Sequence, residues 1–76
     1  MEETLLEILE DINSDIDYKN ETAIIDNGLL DSFDIVALVG EMNDAFDINI
    51  SVVDLIPENF NSLQAMLALV DKLQNG

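Results

Sequence analysis

A serine at position 32 stands where its hydroxyl group can be chemically modified. The segment from Gly28 to Phe33 reads Gly-Leu-Leu-Asp-Ser-Phe, and it leads into a predicted amphipathic helix. Free backbone N–H groups and the positive end of the helix stabilise a phosphodiester at such a position. The start of this helix is therefore a suitable place for a phosphate-containing group on the Ser32 hydroxyl. The alternative is that Ser32 is a plain helix N-cap, because Asp-Ser before an apolar helix is common.

The helix that positions Ser32 is predicted to run from Asp31 and Ser32 to about Phe46. Placing its residues at 100° intervals separates two faces. The face predicted to enter the core carries Ile35, Leu38, Val39, Met42 and Phe46. The opposite side, here called the outward face, mixes apolar and acidic residues, and the predicted partner-contacting residues on or beside it are Phe33, Asp34, Val36, Ala37, Gly40, Glu41 and Asp44. The alternatives are a solvated acidic surface at Glu41, Asp44 and Asp47, and a core position for Phe33.

The remaining apolar pattern predicts an all-α fold, a small bundle of three main helices and one short helix in a single domain. The first helix runs from about Glu2 to Asn13, the short one from Pro57 to Phe60, and the last from Ser62 to Gln74. Asn61 or Ser62 is the predicted cap of the last helix, and Asn61 with Gln64 resembles a capping box. The inward stripes of the first and last helices are Leu5, Ile8, Leu9 and Ile12, and Leu63, Met66, Leu67, Val70 and Leu73.

Two connections are predicted to be packed by their own apolar residues. A long loop precedes the second helix, and Ile16, Ile24 and Ile25 are expected to anchor it to the core. After the second helix, Ile48, Ile50, Val52 and Val53 alternate with polar residues as in a strand. A lone strand is not stable, so this stretch is predicted to be an extended connector that tucks its apolar side chains under the helices.

The charge of the chain restricts its partners. Its 76 residues include 17 acids and two bases, a net charge of −15. Nothing is available to neutralise nucleic acid phosphates, and anionic membranes should repel the chain. Basic protein surfaces should attract it, at rates that fall with added salt. A monomer is the simplest expectation.

Several classes of site are disfavoured by the residues present. The chain has no Cys and no His, so disulfides, thiolate metal sites and most nucleophile–base pairs are missing. The first alternate positions of an EF-hand loop are matched by Asp11, Asn13, Asp15 and Asp17. An EF-hand is not supported, because Ile16 and Thr22 occupy the positions that need Gly and Glu. No signal peptide is predicted, and no apolar run approaches the roughly 20 residues of a membrane helix. We therefore expect a cytoplasmic protein.

The chain resembles the acyl carrier protein family on specific residues. The family's modification motif is Asp-Ser-Leu at the start of its second helix, and Asp31-Ser32-Phe33 matches it with Phe in place of Leu. The similarity extends through the second helix to Ile50, and it includes the acidic balance, the long first loop and the final amphipathic helix.

The resemblance implies a cofactor, partners and a function. A phosphopantetheinyl transferase, using Mg²⁺ and coenzyme A, would attach 4′-phosphopantetheine to the Ser32 oxygen, and the Asp31 position would help to bind the metal. The thiol of the arm would hold an acyl or aminoacyl group as a thioester, supplied by a loading ligase and passed to a transferase. The chain would be a carrier and a substrate of other enzymes, not an enzyme.

The chain departs from the family pattern on the outward face. Members commonly have an acid at Ala37 and a larger apolar residue at Gly40. Leu29-Leu30 and the segment 57–62 look more like stand-alone D-alanyl or aminoacyl carriers than like the fatty acid carrier; polyketide and peptide pathways also remain open. The competing function is an acidic helical interaction module, such as a nucleic acid mimic, without a prosthetic group.

Overall fold

The computed structural model describes residues 1–75, which form four α-helices and one short 3₁₀ helix. The α-helices are α1 (Glu2–Ile12), α2 (Ser32–Phe46), α3 (Pro57–Phe60) and α4 (Leu63–Asn75), and the 3₁₀ helix is Val52–Asp54. No residue from 1 to 75 lies in a strand. The predicted all-α fold with three main helices and one short helix is confirmed. No helix in this part of the chain is long and apolar enough to cross a membrane.

The core lies between the apolar stripes of the three long helices. α1 packs against α2 and α4, and α3 packs against α4. The fully buried side chains include Leu5, Leu9, Leu38, Met42, Met66 and Val70. The predicted stripes are confirmed, with Ile12, Ile35, Val39, Phe46, Leu67 and Leu73 half-buried at their edges. Leu69 is also buried, although the predicted stripe of α4 left it out.

The long loop between α1 and α2 is held down by apolar side chains, as predicted. Ile24 is fully buried, and Ile16 and Ile25 are half-buried against the core. The buried ring of Tyr18 is a further anchor that the sequence interpretation did not include. Its hydroxyl lies within hydrogen-bonding distance of two carbonyl oxygens, that of Asn13 at 2.6 Å and that of Leu9 at 3.0 Å. The hydroxyl has one proton to donate, and it is shared between these two acceptors. Tyr18 thereby satisfies acceptors at the C-terminal end of α1.

The connector after α2 differs from the prediction. Ile50 is buried and Ile48 is half-buried, but Val52 and Val53 are 83% and 80% exposed. These two valines belong to the 3₁₀ helix, which Ser51 and Asp54 close: Asp54 Oδ2 accepts from both the backbone N–H and the hydroxyl of Ser51. This local turn directs the valines away from the core, so the prediction that they lie under the helices is wrong.

The start of α4 also differs in detail from the prediction. The Ser62 hydroxyl accepts from the backbone N–H of Ala65 at 3.1 Å, so Ser62 is the cap and the helix begins at Leu63. The side chain of Asn61 instead accepts from backbone amides of the long loop. The predicted capping box between Asn61 and Gln64 is therefore wrong.

Candidate functional site

The first turn of α2 places Ser32 at the surface of the protein. Asp31 is the N-cap: its Oδ1 accepts from the backbone N–H of Asp34 at 2.9 Å, and Asp34 Oδ2 accepts from the Asp31 N–H at 3.3 Å. Ser32 is the first residue inside the helix and is exposed. The alternative interpretation of Ser32 as a plain N-cap is therefore wrong, because Asp31 already caps the helix and leaves the serine hydroxyl accessible.

The electrostatics around Ser32 have two opposing parts. Among residues 1–75, the backbone N–H groups of Ser32 and Phe33 have no hydrogen-bond acceptor, and they lie at the positive end of a 15-residue helix. These groups favour a phosphodiester on the Ser32 oxygen. The carboxylates of Asp31 and Asp34 belong to the same first turn of α2, and their negative charges repel an incoming diphosphate unless a cation accompanies it. An exposed serine with two free amides fits a covalently attached phosphate group.

The chain reaches Ser32 through a hydrogen-bonded turn of residues 23–29, here called the 23–29 turn. Its backbone bonds run from Asn27 N–H to the Ala23 oxygen at 2.8 Å, and from Leu29 N–H to the Ile24 oxygen at 2.9 Å. Gly28 has a φ of +68°, in the left-handed region that favours glycine. The turn is therefore a defined structure. Only Leu30 separates its last residue, Leu29, from the Asp31 cap.

The residues predicted to contact partners lie along one helix, at different distances from Ser32. Phe33 and Val36 are 86% and 71% exposed, so a core position for Phe33 is wrong. Ala37, Gly40, Glu41 and Asp44 are exposed, and Asp34 is half-buried. At 1.5 Å per residue, Asp44 lies about 18 Å along the axis from Ser32. Phe33, Asp34, Val36 and Ala37 thus lie within about one and a half helical turns of the serine, whereas Glu41 and Asp44 lie toward the far end of α2.

An open apolar cavity of about 180 Å³ lies beside the first half of α2. It is lined by Ile25, Ile35, Leu55, Ile56, Pro57 and Phe60. Ile35 is three residues after Ser32 on α2, and Ile25 belongs to the 23–29 turn. The sequence interpretation did not include this cavity, because its lining comes from three separate parts of the chain.

The buried hydroxyl of Tyr18, in the long loop, has a raised pKa. Burial, together with the negative charges of Asp34 and Glu10, raises the pKa of Tyr18 to about 12, because each of them disfavours the tyrosinate anion. The hydroxyl therefore stays protonated at neutral pH and remains a hydrogen-bond donor to the end of α1. Within residues 1–75, no group of three or more acids is placed to hold a metal ion.

Comparison with known proteins gives a family match that covers most of the chain. Residues 3–70 match the family model described as "Phosphopantetheine attachment site". The chain is 31% identical over 72 residues to the D-alanyl carrier protein of Lactobacillus acidophilus, across 93% of this chain and 91% of that protein. No solved structure matches significantly. The chain therefore belongs to the family of acyl and aminoacyl carrier proteins, whose prosthetic group is a covalently attached 4′-phosphopantetheine.

Proposed function

We propose that Ser32 is the residue that carries 4′-phosphopantetheine and that the chain transports an aminoacyl group between enzymes. The observation that supports this most strongly is the position of Ser32, which is exposed and directly follows the Asp31 cap of α2. The chain has no Cys, so it has no thiol of its own for a thioester. The prosthetic group supplies that thiol when it is attached.

The attachment is a phosphoryl transfer to the Ser32 hydroxyl, carried out by a phosphopantetheinyl transferase. The Ser32 oxygen bonds to the phosphorus next to the pantetheine part of coenzyme A, and its proton leaves to a base of the transferase or to water. The P–O bond to the other phosphate breaks, and 3′,5′-ADP departs with that electron pair. Asp31, which directly precedes Ser32, would help to hold the Mg²⁺ ion that neutralises the diphosphate.

The cargo that we propose is an aminoacyl group, with D-alanine the leading candidate. The support is the similarity to a relative named as a D-alanyl carrier protein, over nearly the full length of both chains. Three partners follow from the proposal: the phosphopantetheinyl transferase, a ligase that activates the amino acid, and a transferase that receives it. Because its net charge is −15, we expect the chain to bind basic surfaces on all three enzymes. We also expect it to act as a monomer that dissociates from each enzyme after the transfer.

The test of attachment is intact-protein mass spectrometry after incubation with coenzyme A, Mg²⁺ and a broad-specificity phosphopantetheinyl transferase. We expect one phosphopantetheine adduct on the wild-type protein and none on Ser32→Ala. Ser14→Ala is the matched control, since Ser14 is also exposed, and it should be modified like the wild type. An adduct on Ser32→Ala would show that another residue is the attachment site. No adduct on folded wild-type protein would favour the acidic interaction module.

The cargo is tested on the modified protein. Incubation with a D-alanine-activating ligase, ATP and D-alanine should add one alanyl mass that hydroxylamine removes, as expected of a thioester. L-alanine and a short fatty acid with its own ligase are the comparisons. Equal or better loading with the fatty acid would contradict the aminoacyl proposal and leave the carrier proposal intact.

A further inference from the structure

One residue outside the first turn of α2 joins two parts of the chain that border the attachment region. Asn61 lies between α3 and α4, and its Oδ1 accepts from the backbone N–H groups of Ile25 at 2.9 Å and Asp26 at 3.0 Å. Its Nδ2 donates to Asp26 Oδ2 at 3.1 Å, and its backbone oxygen accepts from Ile24 N–H at 2.9 Å. Asn61 therefore makes four hydrogen bonds to three consecutive residues of the 23–29 turn.

These contacts are connected to Ser32 by a short path. The carbonyl oxygen of Ile24, whose amide is held by Asn61, accepts from the N–H of Leu29. Leu30 follows and is buried, and Asp31 then caps α2. The turn that delivers the chain to Ser32 is thus fixed at one end by Asn61 and at the other by the core and the helix cap.

The same contacts fix two sides of the apolar cavity relative to each other. Ile25 lines the cavity from the 23–29 turn, and Phe60, the residue before Asn61, lines it from α3. The backbone N–H groups of Ile25 and Asp26 need an acceptor, and the Asp26 carboxylate needs a donor. One short side chain has to supply both groups. The Asn61 amide provides both on separate atoms, an oxygen that accepts and an NH2 group that donates, whereas Asp lacks the donor and Ala lacks both groups.

We propose that Asn61 is a positioning residue for the modification of Ser32. By holding the 23–29 turn against the corner between α3 and α4, it keeps the surface on both sides of Ser32 in the arrangement that the transferase binds. The inference rests on the proposed function of Ser32. When Asn61 is replaced, the 23–29 turn keeps this arrangement in only a fraction of the molecules. The apparent affinity for the transferase falls in proportion to that fraction.

The kinetic test measures KM and kcat of phosphopantetheinylation with the carrier as the varied substrate. We expect Asn61→Ala to raise KM by about five-fold or more with kcat nearly unchanged, since binding requires the ordered turn but the reacting atoms are unaltered. Asn75→Ala is the matched control: within residues 1–75 the side chain of Asn75 donates to Asp71 on α4 and to no other residue, and the KM of this variant should equal that of the wild type. An unchanged KM for Asn61→Ala would overturn the proposal.

A pair of exchanged residues separates positioning from a general loss of stability. Asn61→Asp places a carboxylate against that of Asp26 and should raise KM, whereas the double variant Asn61→Asp with Asp26→Asn restores a donor and an acceptor in exchanged places. We expect the double variant to recover most of the wild-type KM. A KM as high as that of Asn61→Asp alone, in a protein whose circular dichroism shows the wild-type helix content, would overturn the proposal.

Amide hydrogen exchange tests the contact without the transferase. The amides of Ile25 and Asp26 should exchange about tenfold faster in Asn61→Ala than in the wild type, with the amides of α1 unchanged. Equal exchange would overturn the positioning role. If the wild-type protein takes up no phosphopantetheine, the proposed function fails; faster exchange in Asn61→Ala would then show that Asn61 holds the turn, but its role in modification would fall with that function.

Discussion

Asp31 and Asp34 exchange hydrogen bonds across the first turn of α2, each carboxylate accepting from the backbone N–H of the other residue. The two distances are 2.9 Å for Asp31 Oδ1 to Asp34 N and 3.3 Å for Asp34 Oδ2 to Asp31 N. The arrangement satisfies the amide of Asp34, and within residues 1–75 the amides of Ser32 and Phe33 have no acceptor. Asp31 therefore has a structural role as a cap, distinct from its proposed role toward Mg²⁺.

The two roles of Asp31 can be separated by two substitutions. Asp31→Ala removes both the cap and the charge, and it should lower the free energy of unfolding by about 1 kcal/mol. Asp31→Asn keeps a good cap and removes only the charge, so stability should change by a few tenths of a kcal/mol. If Asp31 binds Mg²⁺, both variants should be modified several-fold more slowly, most clearly at low Mg²⁺ concentration.

The measurements are urea unfolding followed by circular dichroism, and modification rates over a series of Mg²⁺ concentrations. Asp34→Asn is the control, since it removes the same charge three residues away. Equal slowing by Asp34→Asn would contradict a metal-binding role specific to Asp31 and would point to a general electrostatic effect at the helix start.

The protonated hydroxyl of Tyr18 predicts a loss of stability at alkaline pH. The pKa is about 12 in the folded protein against an ordinary value of 10.0. Because the folded value is the higher one, the stabilising contribution is complete below pH 10 and is lost as the pH rises from 10 to about 12. The free energy of unfolding should fall over that interval.

Tyr18 is the only tyrosine and the chain has no tryptophan, so the ultraviolet absorbance of tyrosinate reports this residue alone. Native protein should titrate near pH 12, and Tyr18→Phe should remove the decline in stability above pH 10. At neutral pH the same variant should be less stable by about 1–2 kcal/mol, because a carbonyl acceptor at the end of α1 loses its donor. Titration of the folded protein near pH 10 would contradict the assigned environment.

The parts of the fold that the sequence predicted are those with a repeating pattern. The spacing of Leu38 and Met42 places both on the core side of α2, whereas Phe33 and Val36 fall on the outward face, and the structure has all four where the spacing predicts them. The 3.6-residue period carries this information because a long helix repeats it several times. Ser32 was singled out by the Asp31-Ser32-Phe33 motif at the start of such a periodic segment, and its modification stays a prediction.

The parts that the sequence did not predict depend on single contacts. Val52 alternates with Ile50 as a buried residue would, but hydrogen bonds between Ser51 and Asp54 form a local turn that overrides the alternation. Asn61 has two possible roles next to Ser62, and its partners are 35 or more residues away in the chain. A single polar residue carries no period, so its distant partners cannot be read from its neighbours.

Gly28 precedes Ser32 and Gly40 follows it. Replacing each of these glycines with alanine should change the free energy of unfolding in opposite directions. A Cβ atom at Gly28 or at Gly40 would meet nothing within 4 Å, so space does not distinguish them. Gly40 lies inside α2, where Gly40→Ala should raise the free energy of unfolding by up to about 1 kcal/mol. Gly28 has a φ of +68°, so Gly28→Ala should lower it by about 1–2 kcal/mol.

Chemical denaturation of both variants tests this pair, and an equal change of the same sign would contradict it. The same Gly40→Ala protein tests the predicted partner contact on the outward face. If a partner's backbone approaches Gly40 closely, modification or loading should be slower although the carrier is more stable. An undiminished rate with every partner would remove Gly40 from the predicted contact residues.

The acids at the far end of α2 should act through attraction rather than through contact with Ser32. Glu41 and Asp44 are exposed on the outward face, so Glu41→Lys with Asp44→Lys reverses the charge that a basic transferase meets. We expect kcat/KM for modification to fall about tenfold at low ionic strength, and the difference to shrink as added salt shortens the screening length.

The control is Glu3→Lys with Glu7→Lys, which changes the net charge by the same amount on the exposed side of α1. If only the total charge attracts the transferase, the two double variants should be slowed equally. If the outward face of α2 is the surface that partners approach, the α2 variant should be slowed several-fold more than the α1 variant. A greater effect of the α1 variant would mean that partners approach from the other side of the bundle, and the predicted role of Glu41 and Asp44 would be wrong.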